Sequence, residues 1–309
     1  MLARTFVILG PTCTGKTSLA INLCKRFKGI IVSADSRQVV RYMDIGTGKV
    51  PVVEDGRCVE KQADRWVVDG VDIFGYDLVN PDEYFSAYDF VNYCQEVLPK
   101  VSPDVQNVFL VGGTGFYIDA VTGNTPLAGV GPNTELRRSL ENLSTEALAE
   151  KLSKLDESVY KRTDIKNPAR LVRAIEKASQ IVDSSKSLPV IEEVAYIGLT
   201  AAREVLYSRA DAWVGTVFSE RLFEEVRLLQ ERFPKSHRLN GLIYKSAINY
   251  LIGVENLDEA KQKAKFNMHA YIRRQQTWFK RELEIKWFDI EDKNFDSRVS
   301  SIVQSLANG

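Results

Sequence analysis

Thr5-Phe6-Val7-Ile8-Leu9, followed by Gly10-Pro11-Thr12-Cys13-Thr14-Gly15-Lys16-Thr17, is the stretch on which the fold turns. An apolar run of strand length leads into a full match to G-x-x-x-x-G-K-[ST]. Residues 16–26 then show helical apolar spacing at Leu19, Ala20, Leu23 and Cys24. A loop in that setting wraps its N–H groups around phosphate oxygens at a helix N-terminus, where aligned peptide dipoles favour an anion. Lys16 adds a mobile positive charge, and the Thr17 hydroxyl can coordinate a magnesium ion carried by the phosphates. Gly10, Pro11, Thr12, Cys13, Thr14, Gly15, Lys16 and Thr17 are therefore a candidate diphosphate or nucleotide site. The hydroxyls of Thr12 and Thr14 can donate to phosphate or stabilise the loop itself. ATP-binding proteins, kinases and diphosphate-binding transferases all fit this loop.

Outward from it, Gly29-Ile30-Ile31-Val32-Ser33-Ala34 reads as a second buried strand ending at Asp35. Strand, helix and strand in that order predict a βαβ unit with a parallel pair. Residues 86–99 read as a helix. Val108-Phe109-Leu110-Val111 reads as another buried strand, closed by Gly112-Gly113-Thr114-Gly115, and Tyr196-Ile197-Gly198-Leu199 as one more. Strands apolar on both faces suit a doubly wound sheet that binds ligands at its strand carboxyl ends. Between residues 125 and 188 strand signals give way to helical periods, at 134–143, 144–155 and 167–179. Residues 202–284 read as helical with a break near 233–240, before a short strand at 286–290 and a last helix at 297–306. The expected fold is α/β: a P-loop NTPase-like parallel-sheet core from residues 1–124 and 191–309, with a helical insertion domain at 125–190.

Size and composition constrain the partners. A chain of 309 residues can build one large core or two domains. Its 41 Lys and Arg balance 41 Asp and Glu, so a nucleic-acid face must come from local segregation of charge. Cys13, Cys24, Cys58 and Cys94 form no Cys-x-x-Cys pair, and His237 and His269 are the only histidines. That argues against zinc and for reduced thiols in a cytoplasmic protein. No stretch approaches the roughly 20 apolar residues of a membrane helix. The run Phe6-Val7-Ile8-Leu9 enters a glycine loop, as a strand does and a signal peptide does not.

The second strand delivers Ser33-Ala34-Asp35-Ser36-Arg37-Gln38 beside the loop. A carboxylate there can hold magnesium, act as general base toward a nucleophile facing the phosphates, or cap a helix. The residues alone leave the three open.

With Asp35-Ser36-Arg37-Gln38-Val39 and Met43-Asp44-Ile45-Gly46-Thr47-Gly48-Lys49, the loop resembles the N-terminal signature of tRNA dimethylallyltransferases. Asn80-Pro81-Asp82-Glu83 with Ser86 and Ala87 resembles that family's acidic segment. Gly112-Gly113-Thr114-Gly115-Phe116-Tyr117 is similar to its Gly-Gly-Thr-Gly box. Arg170-Leu171-x-Arg173-Ala174-Ile175-Glu176 and Arg273-Arg274-Gln275-x-Thr277-Trp278-Phe279-Lys280-Arg281 resemble two of its helices. The likeness runs from residue 5 to residue 290.

The resemblance implies transfer of a dimethylallyl group from dimethylallyl diphosphate to N6 of the adenine 3′-adjacent to the anticodon of tRNA. It implies that the loop holds the leaving diphosphate, with Mg2+ on Thr17. Asp35 would accept the amine proton; Ser36, Arg37 and Gln38 would face the base; Thr114 would lie across the channel, near both substrates. The partner would be the anticodon stem-loop and the enzyme a cytoplasmic monomer. Departures from the family pattern stand at Val40 (an aromatic expected, with Tyr42 near), Ala169 (Gln), Trp213 (a second Arg after Arg209), Ile243 (Gly) and Ser246 (Glu); a His before the acidic segment is also missing. They bear on tRNA specificity and activity more than on the diphosphate site.

Residues 261–281 carry Lys261, Lys263, Lys265, Arg273, Arg274, Lys280 and Arg281 with no Asp or Glu, and Phe266, Tyr271, Trp278 and Phe279 are interleaved. The cations are expected to face RNA phosphates and Trp278 and Phe279 the core. Arg137, Arg170 and Arg173 are weaker RNA candidates, and Arg173 can instead pair with Glu176 on its own helix. Two competing enzymes fit the loop: an adenylate isopentenyltransferase acting on free nucleotide, and a small-molecule kinase using ATP. A binding protein with degenerate catalysis is a third reading.

Overall fold

The apolar run before the glycine loop is β1 (Arg4–Leu9); the loop leads into α1 (Lys16–Phe27), and β2 (Gly29–Ser33) follows. Three short strands come next: β3 (Val59–Lys61), β4 (Trp66–Val68) and β5 (Val71–Phe74). Then come α2 (Ala87–Val97), capped by Ser86, a 3₁₀ turn at Leu98–Lys100, β6 (Asn107–Gly112) and α3 (Gly115–Val121). The middle of the chain is α4 (Thr134–Leu140), α5 (Thr145–Leu155), α6 (Glu157–Arg162) and α7 (Pro168–Ala178). After β7 (Val194–Thr200) follow α8 (Arg203–Val217), α9 (Glu220–Arg232), a 3₁₀ turn at His237–Asn240, α10 (Tyr244–Leu251) and α11 (Leu257–Phe279). β8 (Lys286–Asp289) and α12 (Phe295–Asn308) end it. This computed structural model describes residues 4–49, 58–125, 127, 131, 133–179, 191, 193–281 and 284–308.

Two compact units emerge: Met1–Thr122 with Ile191–Gly309, and Gly123–Val190. The first holds one eight-stranded sheet in the order β3-β4-β5-β2-β6-β1-β7-β8. The six strands from β5 to β8 in that order run parallel, and β3, β4 and β5 are joined antiparallel. The fold class expected from sequence is the one observed. One expectation needs correction: β1 and β2 are parallel but not paired, because β6 lies between them. The antiparallel hairpin is also absent from the strands expected from sequence.

Alternate strand residues Phe6, Ile8, Ile31, Phe109, Val111, Ile197 and Leu199 share one core with Leu19, Ala20, Leu23 and Cys24 of α1 and Val299 and Val303 of α12. The intervening residues Val7, Leu9, Ile30, Val32, Val108 and Leu110 are equally buried, so both faces of the sheet are covered. Each large apolar side chain so buried contributes about 1.5–3 kcal/mol, which outweighs the few tenths separating most helix propensities. Packing on the sheet therefore fixes where α1 begins, and with it the phosphate loop.

The second unit has its own core of Leu140, Leu148, Leu152, Leu171, Ala174 and Ile175. Side chains of Asn133, Ser144, Asp156 and Asn167 cap its four helices.

Where β6 leaves the sheet, backbone meets backbone. A Cβ on Gly112 would lie 2.1 Å from the carbonyl oxygen of Ala34. Gly112→Ala is expected to destabilise the protein by at least about 1–3 kcal/mol, the usual cost of overpacking. Gly215, in α8, has nothing within 4 Å of such a Cβ, and Gly215→Ala is expected to stabilise by about 0.5–1 kcal/mol. Urea melts of both variants read the contrast; equal shifts would contradict the strand-end geometry.

Candidate active site

Because β2, β6 and β1 are neighbours running in one direction, their carboxyl ends bring three loops together: the turn after Ser33, the box after Gly112 and the phosphate loop after Leu9. The loop is braced from within. Thr14 Oγ1 donates to Pro11 O at 2.9 Å, and Lys16 Nζ donates to the same oxygen at 2.7 Å. Thr14 is buried and its hydroxyl serves the loop, which is the stabilising role open to it from sequence. The Arg209 guanidinium of α8 reaches Cys13 O at 3.2 Å, bringing a second cation to the loop. Burial pulls the Lys16 pKa from the usual lysine range down to about 8, against the opposing pull of the Asp35 charge.

Asp35 does not cap a helix. Residues 36–39 form a turn, and Asp35 Oδ1 accepts from Arg37 N at 2.9 Å, two residues on. Among the described residues no donor reaches its Oδ2. Thr114 stands at the N-terminus of α3, yet its hydroxyl does not cap that helix. It accepts from Ser36 N at 3.0 Å and donates to Ser36 Oγ at 3.3 Å. Tyr271 of α11 hydrogen-bonds to Thr114 as well, and burial pushes its phenol up. Asp35, Ser36 and Thr114 are thus one assembly. Gln38 is turned into the protein: its Oε1 accepts from Ser33 Oγ at 2.8 Å and its Nε2 donates to Thr47 O at 3.3 Å.

Several site residues are given no role by the motif reading. Gln275, buried on α11, accepts from Thr12 N at 2.8 Å and donates to Gly113 O at 3.0 Å, so one amide joins the phosphate loop to the box. A polar residue in the buried stripe Ala264, Met268, Ile272, Gln275, Phe279 is the signal that marks it. Glu225 of α9 gathers the N–H groups of Asp44, Ile45 and Gly46 and the Tyr244 hydroxyl, at 2.7–3.0 Å. Lys49, buried, closes the same segment onto Val40 O, Asp44 and Asp77. Of the family departures, Val40 is fully buried and bridges Val79, and Ile243 and Ser246 are buried beside Tyr244.

The basic helix divides by face. Arg273, Arg274, Lys280 and Arg281 are exposed; Phe279 is buried and Trp278 half-buried, its Nε1 on Asp119 at 2.8 Å. Arg273 donates to Tyr207 Oη and Arg274 lies over the Tyr271 ring. Lys263 pairs with Glu255, a residue before the acid-free stretch. Within the second unit, Arg137 and Arg173 both pair with the buried Glu176, so the pairing of Arg173 along its own helix is present. Arg170 is exposed and pairs with Asp164.

Two family profiles match the chain: IPP transferase over residues 38–282 and isopentenyl transferase over residues 3–69. A tRNA dimethylallyltransferase of Halalkalibacterium halodurans is 32% identical, the match covering 99% of this chain and 98% of the relative. Another, from Alkaliphilus oremlandii, is 35% identical, covering 96% and 94%. The crystal structure of the full-length tRNA isopentenylpyrophosphate transferase of Bacillus halodurans superposes with a TM-score of 0.68 at 30% identity, covering 99% and 97%. A eukaryotic dimethylallyltransferase acting on tRNA superposes with a TM-score of 0.78 at 19% identity, covering 99% and 80%; that likeness is one of fold.

The lowered Lys16 pKa has a thermodynamic consequence. An anion in the loop favours the ammonium, so binding of inorganic diphosphate raises this pKa and takes up protons near pH 8. Affinity is expected to fall by up to about tenfold per pH unit above that value. Calorimetry in two buffers of different ionisation enthalpy measures the uptake. Uptake that persists unchanged in Lys16→Ala would assign the proton to another group.

Proposed function

The chain belongs to the IPP transferase family of tRNA dimethylallyltransferases, and on that premise we propose that it transfers a dimethylallyl group from dimethylallyl diphosphate to N6 of the adenine 3′-adjacent to the anticodon. The observation that carries this reading is the turn of Asp35 and Ser36, held by hydrogen bonds from Ser36 to Thr114 and from Arg37 N to Asp35, next to a phosphate loop on the neighbouring strand ends.

The chemistry follows from what these groups can do. An exocyclic adenine amine is a weak nucleophile. As its nitrogen attacks the allylic carbon, the carbon–oxygen bond breaks and its electron pair leaves on diphosphate. The amine proton passes to Asp35, whose Oδ1 is held by Arg37 N. Loop amides and Lys16 stabilise the charge gathering on the leaving group. Thr114 fixes the Ser36 backbone and so the height of Asp35 over the loop.

Thr17 presents a hard hydroxyl oxygen at the second residue of α1. Among the described residues no three His, Cys, Asp or Glu gather into a metal cage. That donor set fits Mg2+ held chiefly by diphosphate oxygens and water. Bound there, the ion would neutralise charge on the departing diphosphate.

The acceptor is read as the anticodon stem-loop, whose unpaired bases can be splayed into a pocket. The exposed Arg273, Arg274, Lys280 and Arg281 support an RNA backbone contact; Arg170, in the second unit, is a further candidate. Arg137 and Arg173, tied to Glu176, serve such a contact only through what remains of their donors. Neither the adenylate nor the kinase reading gives the acid-free stretch 261–281 a purpose. All four cysteines are free, and no described helix is long and apolar enough to cross a membrane.

Asp35→Asn keeps the shape of the side chain and removes the base. It is expected to lower the single-turnover prenylation rate by about 10²–10⁴-fold while RNA and diphosphate still bind. A near-wild-type rate, or a loss confined to binding, would remove Asp35 from the role of base.

A further inference from the structure

Buried charge in this protein is neutralised almost everywhere. Lys49 sits between Asp44 and Asp77, and Glu176 between Arg137 and Arg173. Glu225 takes four hydrogen bonds. Arg238, in the 3₁₀ turn His237–Asn240, is the exception: it is 8% exposed and pairs with no carboxylate among the described residues. Its Nη1 donates to Ser36 O at 3.4 Å and its Nη2 to Glu83 O at 3.2 Å, and its Nε has no acceptor.

A second guanidinium adds to the imbalance. Arg37, half-buried, donates from Nη1 to Arg238 O at 3.5 Å and likewise makes no ion pair among the described residues. The chain makes room for it: a Cβ on Gly241 would lie 2.6 Å from Arg37 Nη2. Burial lowers the Arg238 pKa, and repulsion from Arg37 lowers it further, only partly offset by the Tyr117 and Tyr84 phenols. His237 is also held low, by burial and then by both arginines. Desolvated like charges without a counter-ion are costly, and an anionic ligand relieves that cost.

Arg238 grips the turn that carries Asp35, through Ser36 O, and Arg37 belongs to that turn. The donor diphosphate already has a cradle in the loop with Lys16 and Arg209. Guanidinium forks match phosphate oxygens, and an acceptor strand brings a phosphodiester on either side of its reacting nucleotide. Resting on the RNA-acceptor reading, we propose that Arg37 and Arg238 form an anion subsite for a phosphodiester flanking the adenine that is modified. The subsite positions the acceptor strand, and its arginines take no part in bond making.

A chemical double-mutant cycle tests it. Equilibrium binding is measured for an anticodon stem-loop RNA with a neutral methylphosphonate at the linkage 5′ or 3′ to the adenine, using wild type, Arg37→Gln and Arg238→Gln. One of the two linkages is expected to cost wild type about tenfold in affinity. Arg37→Gln should lose a similar factor on unmodified RNA and nothing further on that methylphosphonate RNA. Independent, multiplying losses, or wild-type affinity in Arg37→Gln, would overturn the subsite. A thermal melt accompanies each variant: a lower melt in Arg238→Gln with unchanged affinity would make that arginine a packing residue and overturn its part. Wild type that binds the RNA but never prenylates it would sink the functional reading and leave the subsite standing or falling on the cycle alone. Wild type that binds no RNA would overturn both.

Discussion

The amide of Gln275, 263 positions from Thr12 and 162 from Gly113 in the chain, ties the phosphate loop to the box: it takes the N–H of Thr12 and gives its own to Gly113 O. Each of those backbone groups would otherwise be left unsatisfied beside the core, at about 1–3 kcal/mol apiece. The fit is close enough that a Cβ on Gly113 would lie 2.2 Å from Gln275 Nε2. One turn before it on α11, Tyr271 reaches Thr114; three residues after it, Trp278 reaches Asp119 on α3. One stripe of α11 therefore sets the spacing between phosphate loop and box, while Arg273 and Arg274 stand exposed on the same helix and Lys280 and Arg281 just past its end.

The strand order gives that clamp something to hold. With β6 between β2 and β1, three carboxyl ends point the same way, and Asp35, Thr114 and the phosphate loop meet without any long excursion of the chain. The segment after the Asp35 turn is closed from a second side, where Glu225 collects three consecutive N–H groups. Burial raises the Glu225 pKa and those hydrogen bonds pull it back. Among the described residues, Gln275, Glu225 and Lys49 find partners for their buried polar groups around the site, and the open cationic pair of Arg37 and Arg238 stands apart from them.

Much of this was legible in the chain. A strand, a complete phosphate-loop motif and a helix fixed the start of the sheet, and the strands with apolar runs at 29–34, 108–111 and 196–199 all formed. The order of those strands was not legible, because pairing is decided by packing between distant segments; hence β6 in place of the adjacent β1–β2 pair. The hairpin of β4 and β5 did carry a signal: Asp69-Gly70, both with positive φ, between Trp66-Val67-Val68 and Val71-Asp72-Ile73. Strands of three and four residues are too short for alternation to stand out. In the site, Asp35 and Thr114 were found through motifs, but the hydrogen bonds by which Thr114 holds Ser36, the neighbour of Asp35, were not. Gln275 stood inside a quoted motif with no role assigned to it, although its place in an apolar stripe betrays one. Arg238 lies in an irregular turn, where no periodicity exists to read.

The phosphate loop, taken alone, would serve a kinase or an enzyme of free nucleotides as well. What separates the readings is the acceptor, and the acid-free stretch 261–281 argues for a polyanion. The most direct measurement offers purified protein dimethylallyl diphosphate and Mg2+ with, in parallel, an anticodon stem-loop RNA and AMP. Mass spectrometry of the nucleosides then reads the product. The account predicts one dimethylallyl unit on adenosine from the RNA and little or none on AMP. Modification of AMP with the RNA left untouched would contradict it.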